Sequence, residues 1–499
     1  HSRTNSNEPI GPMGVFTTQK VWVETYPDTM RDYNLAHKWI GLFSVCLVAS
    51  VLATLLSLFV ATEAQAIPAF ARKYDVNCTA CHTAPPILNT YGQRFLENGY
   101  QLPGTEDGGS TGKKKLGDLN LDDVNQYIGF RLVGNAFSNW SFKKQNPASS
   151  GIVENKAEFT FPENFVLFAG GTVAKNIGFM VELGHDVQEG GAAVERGFVT
   201  FNNLGSHNLA HLRVGKFDPS TFSSYATVRQ QLLDVGESQK SSCVAGEFTR
   251  DSPGSLCSFN RVGLSPSAFA TKFYGLYDRS GNYLSPFAAS LFNSGAETGA
   301  DVHGRPFGDW FLYQVGVLNG ANEPLGDSNK GKDVYGMIRF DYGRANNFSA
   351  NISGFVYHGN SNAKLQTQDD VNWNRYGLSA RATYKMFDVY AAFSIDKINK
   401  TPTAFAGLFD QTATGLTIGA DTYVTDKTLL SLRYDNLDAG GMLDQRKSVT
   451  FVGVQAKHYL RTNVAIFVRN DFNVRQAEEG DHAARNLRNV FFSGIDVIF

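Results

Sequence analysis

Between Tyr127 and Phe499 the chain keeps to a two-residue period, and that period limits the possible fold more than any other feature. Successive side chains of a strand point to opposite faces. In Thr428–Asp435, Leu430, Leu432 and Tyr434 share one face, while Ser431, Arg433 and Asp435 share the other. Val464, Ile466 and Val468 alternate in the same way with Ala465, Phe467 and Arg469, and Gly336, Ile338 and Phe340 alternate with Met337, Arg339 and Asp341. A soluble sheet would bury the apolar face and leave the charges in water, whereas a transmembrane barrel turns the apolar face to lipid and the charges to a polar lumen. The barrel is favoured by segments of about ten residues and by aromatics near their ends: Tyr342, Tyr384, Tyr390, Tyr434, Tyr459 and Phe491. Short connections at Lys175-Asn176, Lys385-Met386, Asp426 and Arg461 alternate with long ones at 397–412, 436–446 and 472–487. Strands are expected near 127, 164, 177, 194, 209, 259, 268, 284, 311, 334, 348, 373, 386, 413, 427, 447, 462 and 488. That makes eighteen, or sixteen if the ambiguous 217–268 stretch holds fewer, and both counts are even, as in bacterial barrels. The expectation is an all-β chain, a transmembrane antiparallel barrel spanning 121–499. Its tight turns and Phe499 would face the periplasm and its long loops the outside.

Composition agrees. Charged residues make up 18% and the net charge is −2, with no basic stripe, so nucleic-acid binding is not suggested. Residues 1–29 show no apolar period and read as lying upstream of the true start. Met30 opens a basic stretch with Arg31 and Lys38, followed by an apolar run from Trp39 to Val60 and the small-residue ending Ala64-Gln65-Ala66. This is the pattern of a secretory signal peptide over 30–66, although an uncleaved anchor would also fit the length of the run.

The segment 67–120 carries chemistry of another kind. Cys78-Thr-Ala-Cys81-His82 has the spacing that attaches a c-type haem: two thiols reach the two vinyl groups, and the next side chain turns its imidazole to the iron. Cys78 and Cys81 are thus candidate attachment residues and His82 the candidate proximal ligand of one covalent haem c. Zinc competes poorly, because no second cysteine pair at finger spacing lies nearby. Beyond Pro85-Pro86, the residues Ile87, Leu88, Tyr91, Phe95 and Leu96 recur at helical spacing and Gly99 suits a C-cap, predicting a short helix over one haem face. Residues 104–115 read as a charged linker. Of the other cysteines, Cys46 leaves with the signal peptide, and Cys243 and Cys257 are expected to pair within one polar loop in an oxidising compartment.

Taken together, the signal peptide, the single Cys-x-x-Cys-His, the barrel and the stretch Asn89-x-x-Gly92-x-x-Phe95-x-x-Asn98-Gly99-Tyr100 resemble the fused outer-membrane cytochrome–porins of iron-oxidising bacteria. The resemblance implies a monohaem cytochrome held in a porin lumen of the bacterial outer membrane. Such a protein takes electrons from extracellular Fe(II) and passes them to a periplasmic c-type cytochrome or copper protein. The residues carried over are Cys78, Cys81 and His82. A physical argument points the same way: a haem beneath a band about 25 Å tall could not serve both sides, whereas a haem drawn into the lumen could.

For a sixth iron ligand, residues 83–179 offer no His or Met. Met180 and His211 are the inward candidates near the periplasmic ends of their strands, and His358 and His458 fall on the apolar parity. Asp435 and Asp471, with Glu478, Glu479 and Asp481 in the last long loop, could meet a hard divalent ion; Arg433 and Arg469 nearby favour a lumen salt-bridge network instead. Three readings stay open: an Fe(II) electron conduit, a conduit for another extracellular donor, and a passive porin with a haem-bearing plug.

Overall fold

A computed structural model describes residues 69–102 apart from 75 and 85–86, short stretches at 115–120, and most of 126–498 except the longer connections, among them 220–296. The expected signal peptide, the linker from 104 to 114, and Cys243 and Cys257 lie outside the described residues.

Sixteen long strands form a closed antiparallel barrel. They are β1 Ile128–Phe142, β2 Asn164–Ala174, β3 Ile177–Asp186, β4 Gly191–Leu204, β5 Ala210–Phe217, β6 Glu297–Gly304, β7 Phe311–Leu318, β8 Asp333–Gly343, β9 Phe348–Asn362, β10 Asp370–Tyr384, β11 Phe387–Lys400, β12 Thr412–Thr425, β13 Thr428–Asp438, β14 Ser448–Arg461, β15 Val464–Arg475 and β16 Leu487–Ile498. Each pairs with its chain neighbour, and β16 closes on β1 in the register Ile495↔Gly134 and Val497↔Leu132. A three-residue strand, Lys156–Glu158, pairs with the outer part of β1. Closure leaves no sheet edge, so the strand backbones satisfy one another, as hydrocarbon demands.

Sixteen is the lower of the two expected counts. Fifteen of the expected segments are present, and β6 was not among them. Its sequence, Glu-Thr-Gly-Ala-Asp-Val-His-Gly, has one large apolar residue, and its partners β5 and β7 supply the order its own pattern lacks. The starts expected near 259, 268 and 284 lie outside the described residues.

The faces fall as the period requires. Leu430, Leu432, Ile338, Phe340 and Val468 are exposed on the outer surface, while Ser431, Met337, Ala465 and Phe467 are buried inward. Arg339, Arg375, Arg433 and Arg469 also point inward and are no more than 1% exposed. Apolar outside and charged inside is the arrangement for lipid, not for water. Two-residue turns join β2 to β3, β10 to β11, β12 to β13 and β14 to β15 at the end where β16 finishes, and the left-handed φ of Asn176 and Lys385 serves two of them. In bacterial outer-membrane barrels the short turns are the periplasmic ones, and by that rule this is the periplasmic end.

Among the described residues, three short helices precede the barrel: α1 Ala69–Tyr74, α2 Cys78–Cys81 and α3 Thr90–Glu97. The predicted helix is shorter than its apolar pattern suggested. Ile87–Leu88 instead pairs with His82–Ala84 as a small ribbon, because Asn89 caps α3 by accepting the Gly92 N–H at 2.9 Å. At the other end Gly99 (φ 63°) and Tyr100 (φ 64°) turn left-handed. Their N–H groups bond to the Leu96 carbonyl (3.1 Å) and the Phe95 carbonyl (2.9 Å), while the Tyr100 ring packs on Phe95. That is a Schellman end, and Gly99 is the expected stop.

Candidate functional site: a plug in the periplasmic end of the lumen

The Asn-x-x-Gly motif explains how the Cys-x-x-Cys-His turn is held. Asn89 not only caps α3; its side-chain amide also donates to the carbonyls of Thr79 (3.2 Å) and Ala80 (2.9 Å), and its backbone N–H to that of Cys81 (2.9 Å). Gly92 is required at this junction, since a Cβ there would stand 2.1 Å from the Cys81 carbonyl oxygen. One helical turn sets Cys78 and Cys81 three residues apart on one side, and the His82 N–H closes it on the Cys78 carbonyl before the chain extends. Burial pushes both thiols up, so they stay neutral at pH 7.

Phe95 gives the other face of α3 to an aromatic cluster. It meets Phe70, Tyr74 and Tyr100 at ring-centroid distances of 5.1, 5.6 and 5.9 Å, and Tyr100 continues the contact to Phe198 on β4 at 6.3 Å. The segment is therefore seated in the barrel and does not hang beneath it. The backbone of Gly99 lies so close to β3 that a Cβ on Gly178 would stand 2.2 Å from the Gly99 carbonyl oxygen.

Polar contacts complete the seat on several sides. Arg72 donates to the Ile128 carbonyl at 2.6 Å, Thr90 to Ser349 at 3.0 Å, and Arg94 to Asp309 at 3.0 Å. Glu97, at the end of α3, takes Arg305 and Arg339 at 2.7 Å each, and both arginines also reach Asp341 at 2.9 Å. Desolvation works against the Glu97 charge, but the two guanidinium groups outweigh it and hold its carboxyl at about 2. His303 of β6 donates through Nε2 to the Glu97 carbonyl at 2.8 Å, and its Nδ1 lies 3.0 Å from Asp301. The wall partners named here lie in the tight-turn half of their strands or, for Arg305 and Asp309, in the connection at that end, so the plug fills the tight-turn end of the lumen.

Between plug and wall lies a cavity of about 360 Å³, within the range that takes small molecules and cofactors. Cys78, His82, Leu88 and Leu96 line it from the plug, and Met180, Phe198, Leu312 and Met337 from the wall. Cys78 and His82 of the turn face this space, and its wall is mixed, since Arg196, Arg213, His303 and Arg339 line it beside those apolar residues. Such a set fits a haem c, which has an apolar macrocycle and acidic propionates. Met180 and His211, the two inward candidates for a sixth ligand, are separated by the fold. Met180 lines the cavity, its sulfur and the Phe70 ring meeting over Gly170, where a side chain would crowd both. His211 stacks on His303 (5.2 Å, 10°) and its Nδ1 takes the Asn203 N–H at 3.5 Å, a place in the wall and not in the cavity lining. His303 does line the cavity, but both its nitrogens are engaged. His358 is outward and exposed, bonded to Asn374, and His458 bonds to Thr428.

Arg433 and Arg469 are buried lumen residues, and the side chains of Asp435 and Asp471, together with Glu478, Glu479 and Asp481, lie outside the described residues. Among the described residues no cluster of three His, Cys, Asp or Glu could hold a metal ion. Sequence reading missed Glu97, Arg305 and His303 as parts of the seat. Strand parity marks inward residues such as Arg339, but no local pattern says which of them meets the plug.

Fold and surface together define a bacterial outer-membrane β-barrel with an N-terminal plug. No protein-family model matches the chain, and no curated protein does. Among solved structures it is similar to the outer-membrane channel DcaP of Acinetobacter baumannii (TM-score 0.46, 11% identity, covering 78% of this chain and 99% of that one). It is also similar to an anion-selective porin from Comamonas acidovorans (0.45, 14%, 74% and 98%) and to Salmonella typhi OmpF complexed with daunomycin (0.45, 10%, 77% and 98%). The barrel stands on its own strand pairing, and these likenesses carry no argument beyond it.

Proposed function

We propose that the protein is an outer-membrane electron conduit. One haem c, bound through Cys78 and Cys81 and ligated by His82, would take electrons from extracellular Fe(II) and release them to a periplasmic c-type cytochrome or copper protein. The observation that carries this reading is the Cys-x-x-Cys-His turn, clamped by Asn89 and facing a wall-lined cavity at the periplasmic end. When bound, the haem supplies reversible one-electron chemistry. The chain's own residues do the rest: Asn89 and Gly92 hold the turn, Leu88, Leu96, Phe198 and Leu312 exclude water, and Met180, which lines the same cavity from the wall, would supply a soft sulfur ligand. A soluble carrier approaches from the tight-turn side and the donor from the long-loop side.

The test is haem reduction in sealed vesicles carrying the protein in one orientation. Fe(II) added to the long-loop side should reduce the haem, and reduction only from the tight-turn side would remove the reading. Met180→Ala should leave the thioethers intact but change the iron spin state by electron paramagnetic resonance; an unchanged spectrum would exclude Met180 as a ligand.

A passive porin with a haem-bearing plug is the second reading. The cavity lies at one end of the lumen, and no metal cluster among the described residues relays electrons to the other end. On that reading Fe(II) reduces the haem no faster in intact vesicles than through a leak.

A further inference from the structure

Arg381 of β10 reaches out of the wall to the ribbon that carries His82. Its Nη1 donates to the Leu88 carbonyl at 2.7 Å and its Nη2 to the Thr83 hydroxyl at 3.4 Å. Leu88 is the residue paired directly with His82 across the ribbon, and Thr83 follows His82 in the chain. The two bonds therefore bracket His82. The other edge of the same guanidinium is held by Asp388 of β11, through Nε at 2.8 Å and through Nη2. β10 and β11 are joined by the two-residue turn at Lys385-Met386, which brings Arg381 and Asp388 together on the inward face. Both are buried, with Arg381 5% and Asp388 1% exposed. Only a planar five-donor fork can bind one carboxylate through two N–H groups while two others bind the plug; an ammonium cannot make that pattern.

We propose that Arg381, oriented by Asp388, is a positioning residue that sets the angle and reach of the His82 imidazole, so that the barrel wall tunes the redox site of the plug. The proposal rests on His82 as the proximal ligand. Its grip acts on backbone and hydroxyl groups on either side of His82, so loss of the grip frees the ribbon without removing a ligand. The cysteine attachments lie on the preceding turn, tied separately through Asn89.

The experiment compares purified full-length protein with three variants. Arg381→Gln combined with Asp388→Asn removes the grip and leaves the net charge of the pair unchanged, which avoids a stranded buried charge. It should keep covalent haem and heat-modifiable barrel migration. Its midpoint potential should nevertheless shift, and its low-spin signal should broaden into more than one species. Arg381→Lys keeps the charge facing Asp388 and should give the same changes to a smaller extent, and it carries the test alone if the double variant fails to assemble. Tyr357→Phe breaks a buried wall bond to Asp333, at the far end of β8, and should leave both readouts unchanged. Potential and spectrum identical to the unmodified protein in Arg381→Lys, and in the double variant where it assembles, would overturn the proposal. Absence of covalent haem from the unmodified protein would instead be a failure of the functional reading beneath it.

Discussion

At the scale of single residues, the cysteine pair Cys78 and Cys81 and one glycine have direct, testable consequences. Cys78 and Cys81 each supply one thioether on the proposed reading. Cys78→Ala or Cys81→Ala should lose one bond and most haem loading, and the double variant all covalent haem by intact mass, while the barrel still assembles. Covalent haem retained in the double variant would refute the attachment. The glycine is Gly178. A methyl there meets a backbone carbonyl of the plug and not a mobile side-chain end, so Gly178→Ala cannot be absorbed by a rotamer change. It should weaken plug seating by about 1–3 kcal/mol, the usual cost of overpacking. Limited proteolysis should then cut within 69–102 sooner while the barrel core stays resistant; equal cleavage rates would mean that plug and β3 are not in contact.

At the scale of elements, α3 is where sequence pattern and tertiary contact meet. Its caps and apolar face are local. Its seat is a charge pair, Glu97 against Arg305 and Arg339, formed with residues more than two hundred positions away. The pH sign follows from the carboxyl lying at about 2 in the seated state against 4.5 when free. The carboxylate's contribution is complete above pH 4.5, falls as pH drops toward 2, and is gone below it. The difference corresponds to about 3 kcal/mol at neutral pH. The protection of residues 90–97 against hydrogen exchange, corrected for the intrinsic rate at each pH, should therefore fall between pH 4.5 and 2. Glu97→Gln should exchange faster at neutral pH and lose most of that pH dependence. Protection that stays constant in the unmodified protein over this range would show that Glu97 does not hold α3.

At the scale of the whole molecule, the plug decides how open the barrel is. A sixteen-stranded barrel otherwise encloses an aqueous channel. With α1 to α3 seated at the periplasmic end, the intact protein should conduct poorly in planar bilayers, and a form lacking residues 67–115 should conduct well. Equal conductance would place the plug outside the lumen in the membrane. The same measurement bears on the passive reading, because a diffusion porin must conduct with its plug in place.

The alternation along Thr428–Asp435 or Val464–Arg469 determined two-faced strands, and the strand lengths, end aromatics and alternating short and long connections then favoured an inside-out barrel, since all of these are made by residues close together in the chain. The Cys-x-x-Cys-His turn and the Gly99 stop were legible for the same reason: each is made within a few residues. β6 was not legible, because its order comes from β5 and β7 and not from its own side chains. Nor were Glu97, His303, Arg305 and Arg381, whose roles depend on meeting groups far away in the chain. The choice between Met180 and His211 as a cavity residue belongs to the same class. Both are inward by parity; Met180 meets Phe70 of α1 over Gly170 and lines the cavity, whereas His211 stacks on His303 within the wall and does not.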